Sequence, residues 1–271
     1  MQTRSTLLFI GLLVLLAPVC SAQENTTPDT GSGTDVWTER TSRAEGFRIQ
    51  MNAFALQRSA TWNKWQLSRN KLTDHLDRCH TQIRASNRDT LLPVTQQCLK
   101  GQLIIERDAL KRDRAILEKM PGLTEPVRTA LLQKIDALTD AIQTIIDGVD
   151  AHVFTTMTQL KDVRANLLTQ YRQPYWLAMT QARADEAMTW IAHLLTSLKD
   201  LTDNASLVPA ATENITQAMT CLENAESLLF PALSSASPDD ARAILASGIT
   251  AVRPCNALIL EAQEAQSIVQ E

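Results

Sequence analysis

The sequence predicts an all-α protein: an elongated antiparallel helical bundle with coiled-coil character, built from three successive helical hairpins tied by disulfides. Three observations carry that expectation. Glycine is scarce, with 8 in 271 residues, and aromatics make up 4%. Apolar residues recur in steps of three and four over long stretches, the period of one helical face. Alternating Val/Ile/Thr runs between turn dipeptides, the mark of strands, are absent.

The first 22 residues read as a secretory signal. Arg4 gives a positive start, Leu7 to Leu16 an unbroken apolar run, and Cys20-Ser21-Ala22 a small-residue cleavage site. That run is too short to span a bilayer comfortably, and no later stretch approaches 18 consecutive apolar residues. The expectation is an exported chain, periplasmic or secreted, with no transmembrane span once the signal is removed. Lipid attachment at Cys20 fits poorly, because Val19 stands where a small residue belongs. Residues 23–38, polar and rich in Thr, Gly, Asp and Pro, read as a disordered leader.

Helix one is expected from Thr41 or Ser42 to about Ala85, with Phe47, Met51, Phe54, Trp62, Trp65, Leu72, Leu76, Cys79 and Ile83 on its stripe. Ser86-Asn87-Arg88-Asp89 is the turn. Helix two, about Thr90 to Met120, carries Leu91, Cys98, Leu103, Ile105, Leu110 and Leu117, and Met120-Pro121-Gly122 ends it. From Thr124 to Arg172 the apolar stripe continues with one glycine, Gly148, and no proline after Pro126. Read as a single helix this is about 49 residues, or ~73 Å at 1.5 Å per residue. Its phase shifts near His152 and Val153, which predicts a bend or a change of packing partner there, and the helix is expected to end or kink near Gln173-Pro174. Helix four follows from Tyr175 to Asp203. Helix five ends by Phe230-Pro231, and Ser237-Pro238-Asp239-Asp240 opens helix six with an N-cap, a first-turn proline and two acids that suit the dipole. The domains so read are 39–204, a four-helix bundle, and 205–271, a hairpin packed on it.

Without the signal, four cysteines remain: Cys79, Cys98, Cys221 and Cys255. An even count in an exported chain favours disulfides. Cys79 and Cys98 are equidistant from the predicted turn at 86–89, where facing residues of a hairpin meet. Cys221 and Cys255 bracket the second turn less symmetrically. Local pairing, Cys79–Cys98 and Cys221–Cys255, is therefore expected.

Charge is uneven. Residues 39–120 carry 16 Lys+Arg against 9 Asp+Glu, and residues 121–271 carry 9 against 18. One reading is a basic first hairpin that contacts an anionic surface. The favoured one is mutual neutralisation of the two halves with much of the charge solvated, since runs such as Glu106-Arg107-Asp108 and Lys111-Arg112-Asp113-Arg114 mix both signs. Nucleic acid is excluded as a partner by export and an acidic balance. Asp136, Asp140, Asp147 and Asp150 share one face of the long helix and read as its wet side. His75, His80, His152 and His193 read as packed or surface histidines, without metal spacing. Three sequons, at Asn25, Asn204 and Asn214, matter only in a eukaryotic host.

No catalytic, phosphate-binding or metal signature is present, so the sequence reads as non-enzymatic and free of cofactors. The one cluster that suggests a binding site is Tyr171, Tyr175 and Trp176 around Pro174, either a partner or ligand anchor or an apolar cap. The function expected is a structural or protein-interaction bundle whose partner is another envelope or secreted protein. The alternative is a ligand-binding or sensory bundle with its site near Pro174.

Overall fold

A computed structural model of the chain describes residues 67, 70–120, 122–204 and 207–267. The expected signal, leader and most of helix one, including Cys20, Trp62 and Trp65, lie outside the described residues. The chain divides into two compact units, Met1–Asp74 and His75–Glu271. Of the first, only residues 67 and 70–74 are described, and they are helical. Among the described residues every regular element is a helix and none is a strand. The all-α class is thus correct.

Helix α1 (70–85) ends at the predicted turn. Asn87 organises that turn by accepting the backbone N–H groups of Asp89 and Thr90 on its Oδ1 at 3.1 and 2.9 Å. This side-chain mimicry of a turn is what Asn supplies locally. Helix α2 (Leu91–Leu117) follows, then a turn containing Gly122 at φ +85°, a conformation that favours glycine. Helix α3 (Glu125–Asp150) starts with Pro126 in its first turn, where the missing N–H has no cost. Thr124 has N-cap position but its side chain does not cap α3.

Helices α2 and α3 run antiparallel, and polar contacts record the register. Lys100 pairs with Asp150, Arg107 Nη1 donates to Gln143 Oε1 at 2.8 Å, and Arg114 Nε donates to Asp136 Oδ1 at 2.7 Å. Each step is seven residues up one helix and seven down the other. Between them lie the buried Leu99, Leu103, Leu110 and Leu117 of α2 and Leu131, Ile135, Leu138, Ile142 and Val149 of α3. The acidic row of α3 is consequently not simply its wet side. Asp136 and Asp150, each about half exposed, pair across to α2, and Asp147 accepts from Gln143 at 2.7 Å.

The 49-residue helix expected from Thr124 to Arg172 is broken. Its first part stops at Asp150, where His152 takes φ +56°. The N–H of Val153 bonds to the Gly148 carbonyl at 2.9 Å and that of His152 to Val149 at 3.1 Å. This pair of bonds is the Schellman termination, here with histidine in the place glycine usually takes. The expected phase shift near His152 is therefore a stop. Gly148 assists, because a Cβ there would sit 2.9 Å from the Phe154 ring folded back over it. Helix α4 (Met157–Asn166) then begins with a full capping box between Thr156 and Gln159.

Of the end or kink expected near Gln173-Pro174, the end is absent. Leu167–Arg172 form a π turn that leads directly into α5 (Gln173–Asn204), so the helix continues through Pro174. The Gln173 N–H bonds to the Leu168 carbonyl, five residues back. A proline within a helix lacks one donor and its ring crowds the carbonyl four residues earlier. The wider π turn shifts that pairing just before the ring arrives, and the helix survives.

The C-terminal elements are α6 (Pro209–Leu229), α7 (Pro231–Ser234) and α8 (Pro238–Ser267). Ser237 caps α8 as expected, with its Oγ accepting from Asp240 N at 3.3 Å. Helix α8 packs along α6, and α5 packs against both. Small residues set how closely α6 and α8 approach: Ala211, Ala218, Ala225, Ala241 and Gly248 are all buried. By length and composition the Pro238–Ala262 stretch of α8 is apolar enough to cross a membrane, which a search for unbroken apolar runs does not detect. In the folded unit its Ala241, Leu245, Ile249, Val252 and Cys255 are buried in protein.

Candidate functional site

The cysteines are paired as the sequence predicts. Cys79 and Cys98 join α1 to α2, and Cys221 and Cys255 join α6 to α8, each pair with Cα atoms 5.5 Å apart. Cross-linking α1 to α2 across a sequence separation of 19 residues stabilises by about 3 kcal/mol on the chain-entropy account. His75 packs beside the first pair: its Nε2 lies 2.9 Å from the Cys98 carbonyl oxygen and 3.4 Å from Cys79 Sγ. The ring occupies the space over Gly101, where a Cβ would stand 2.2 Å from His75 Cε1. His75 is therefore a packed histidine.

A second concentration of chemistry lies where α2 meets the π turn and α5. The buried stripe of α2 reads Gln96, Leu99, Leu103, Leu110, Leu117, and the same three-and-four spacing places Glu106 and Asp113 within it. Opposite, Arg172 ends the π turn. Its Nε donates to Glu106 Oε1 at 2.8 Å and its Nη2 contacts Oε2, forming a bidentate pair whose side chains are 17% and 24% exposed. Such paired, planar bonds fix geometry better than a point charge does. One turn and more along α5, Thr180, Arg183, Asp185 and Glu186 are buried.

Asp113 is held by surroundings that disfavour its charge. Burial raises its carboxyl to about 6, and the attractions of Arg112 and Arg183 offset only part of that. Tyr175 is likewise pushed well above the ordinary phenol range. Burial is the largest cause, and the Asp113 and Glu106 carboxylates add to it while Arg183 opposes it. Glu106, Asp113, Tyr175 and Arg183 therefore share one partly buried neighbourhood. Chemically it offers a neutral phenol donor and a carboxyl that changes charge near pH 6.

Asp185 has a different task. Its Oδ2 accepts the Thr124 backbone N–H at 2.6 Å and its Oδ1 the Thr124 hydroxyl at 3.2 Å, tying α5 to the start of α3. Arg128 closes the same corner by donating to the carbonyls of Leu117, Glu118, Met120 and Leu123 at 2.9–3.2 Å.

Of the aromatic cluster suggested by the sequence, Tyr171 lies in the π turn and Tyr175 and Trp176 in the first turn of α5, all half-buried. Tyr175 reaches the polar neighbourhood. The Trp176 carbonyl accepts the Thr180 hydroxyl at 2.8 Å. Glu106, Asp113, Arg172 and Arg183 are the residues that reading the sequence for site motifs misses. Their signal was available, since acids at 106 and 113 interrupt an apolar stripe of exact period, but mixed charge runs obscured it. Among the described residues no group of three or more His, Cys, Asp or Glu side chains is placed to hold a metal ion. Comparison with family models, with curated proteins and with solved structures found no match to the chain.

Proposed function

We propose that this is an exported, non-enzymatic helical bundle of antiparallel hairpins with coiled-coil character, acting as a spacer or adaptor for another envelope or secreted protein. The observation that carries this reading is the pair of local disulfide links, because such links persist in oxidising compartments outside the cytosol. The interior polar groups support it in a second way. Glu106–Arg172 and the Asp185–Thr124 bonds join elements of the protein to one another, the pattern of groups that hold a scaffold in register. The cross-helix pairs Lys100–Asp150 and Arg114–Asp136 favour neutralisation between basic and acidic helices over display of the basic charge to an anionic surface. One face of α8, with Ala241, Leu245, Ile249, Val252 and Cys255, is buried in the folded unit.

Cross-linking in the native host, followed by identification of attached proteins, tests the proposal. A reproducible envelope or secreted partner is expected. A chain that remains a compact monomer with no cross-linked partner would refute it. A second reading, a ligand-binding or sensory bundle, draws on one observation: the π turn, a device frequent at functional sites, coincides with Tyr171, Tyr175 and the Glu106–Arg172 pair. Native mass spectrometry of host-derived protein separates the two, since only the second reading expects a retained small molecule.

A further inference from the structure

The two disulfide links have the same Cα separation but different surroundings. Cys79 and Cys98 are 5% and 8% exposed, with His75 packed against them. Cys255 is fully buried, whereas Cys221 is half-buried and lines an open groove of about 510 Å³ along α6 and α8. The other walls are Thr216, Gln217, Thr220, Asn224, Ala251 and Pro254, none of them charged. An incoming thiolate therefore meets no like charge at the wall, and hydroxyl and amide groups are present to solvate it.

We propose that Cys221 Sγ is a site of thiol–disulfide exchange with low-molecular-weight thiols, so that the Cys221–Cys255 link opens in the folded protein while Cys79–Cys98 stays closed. The thiolate of the small thiol attacks Cys221 Sγ and forms a new S–S bond to it. The Cys221–Cys255 bond breaks, and its electron pair leaves on Cys255 Sγ, which takes a proton from solvent. That sulfur lies 3.3 Å from the Ala251 carbonyl oxygen, so the released thiol has an acceptor for its S–H where it stands. A second small thiolate attacking its own sulfur in the mixed disulfide then frees Cys221 and completes a two-electron reduction, with two small thiols oxidised to their disulfide. Access decides which sulfur is attacked and which link reacts first.

The test is to incubate the full folded chain with reduced glutathione at neutral pH, stop exchange with acid, unfold the chain in denaturant while blocking free thiols with N-ethylmaleimide, and map the peptides. Glutathione on Cys221, maleimide on Cys255 and an intact Cys79–Cys98 peptide are expected, with the Cys221–Cys255 link opening at least about tenfold faster than Cys79–Cys98. Thr220→Trp, which places an indole at the wall of the groove, should slow glutathionylation several-fold without changing the thermal midpoint. If that variant does not fold, the wild-type map still decides. Glutathione found first on Cys255, both links opening in step as unfolding would require, Cys79–Cys98 opening first, or neither link opening would each overturn the proposal.

Discussion

Replacing Asp113 by Asn probes the interior polar neighbourhood directly. The carboxyl has an ordinary value of 3.8 and is raised to about 6 in the folded chain. A folded state that binds the proton more tightly than the unfolded one loses stability as pH rises. The contribution is fully present below 3.8 and is lost as pH passes through about 6. The difference corresponds to about 3 kcal/mol at most, and to about 2 kcal/mol once the partial access of water to the side chain is considered. Asparagine has nearly the same shape and no charge to bury. Asp113→Asn should therefore match the wild type at pH 4 and exceed it by about 2 kcal/mol at pH 7.5, because burial outweighs the attraction of Arg112 and Arg183. Urea unfolding of both proteins at pH 4, 6 and 7.5, with disulfides intact, measures this. A variant that is less stable than the wild type at pH 7.5 would mean that Asp113 is an ionised partner whose attractions exceed its burial cost, and the reasoning would fail.

Other perturbations follow from single sites. Arg128→Ala removes a guanidinium shared by four carbonyls at the end of α2 and should cost about 2–3 kcal/mol in denaturant unfolding; a change under about 0.5 kcal/mol would show those bonds are replaced by water. His152→Gly relieves a left-handed conformation and should stabilise by about 0.5–1 kcal/mol, visible as a raised thermal midpoint; a lowered midpoint would reveal contacts made by the imidazole. Gly101→Ala puts a methyl group into the His75 ring, so it should cost about 1–3 kcal/mol and move the His75 ring resonances in NMR spectra; unchanged resonances would contradict the packing described.

Much of the helical frame was legible in the sequence because local signals and the period agreed. Asn87, Gly122, Pro126, Ser237 and Pro238 stand where helices start or stop, and the midpoint between Cys79 and Cys98 falls in the turn that brings them together. The stop after Asp150 was only partly legible. The αL position is filled by His152, which does not announce a C-cap as glycine would, though Thr156 and Gln159 spelled out the next capping box. Passage through Pro174 was only partly legible, as a kink rather than an end. Proline reads as a helix end or kink, and the π turn that admits it depends on how backbone bonds re-pair over Leu167–Arg172, which no residue type in that stretch dictates. The polar neighbourhood was obscured for another reason. Local runs of charge mix both signs, while burial depends on which helical face each residue occupies, and Glu106 and Asp113 belong to the apolar face.

Helices held by local disulfide links are tested most directly by non-reducing peptide mapping of the protein recovered from its own host. The expected map contains a peptide joining Cys79 to Cys98 and one joining Cys221 to Cys255. Free thiols at all four positions, or a peptide joining Cys79 to Cys221, would contradict it.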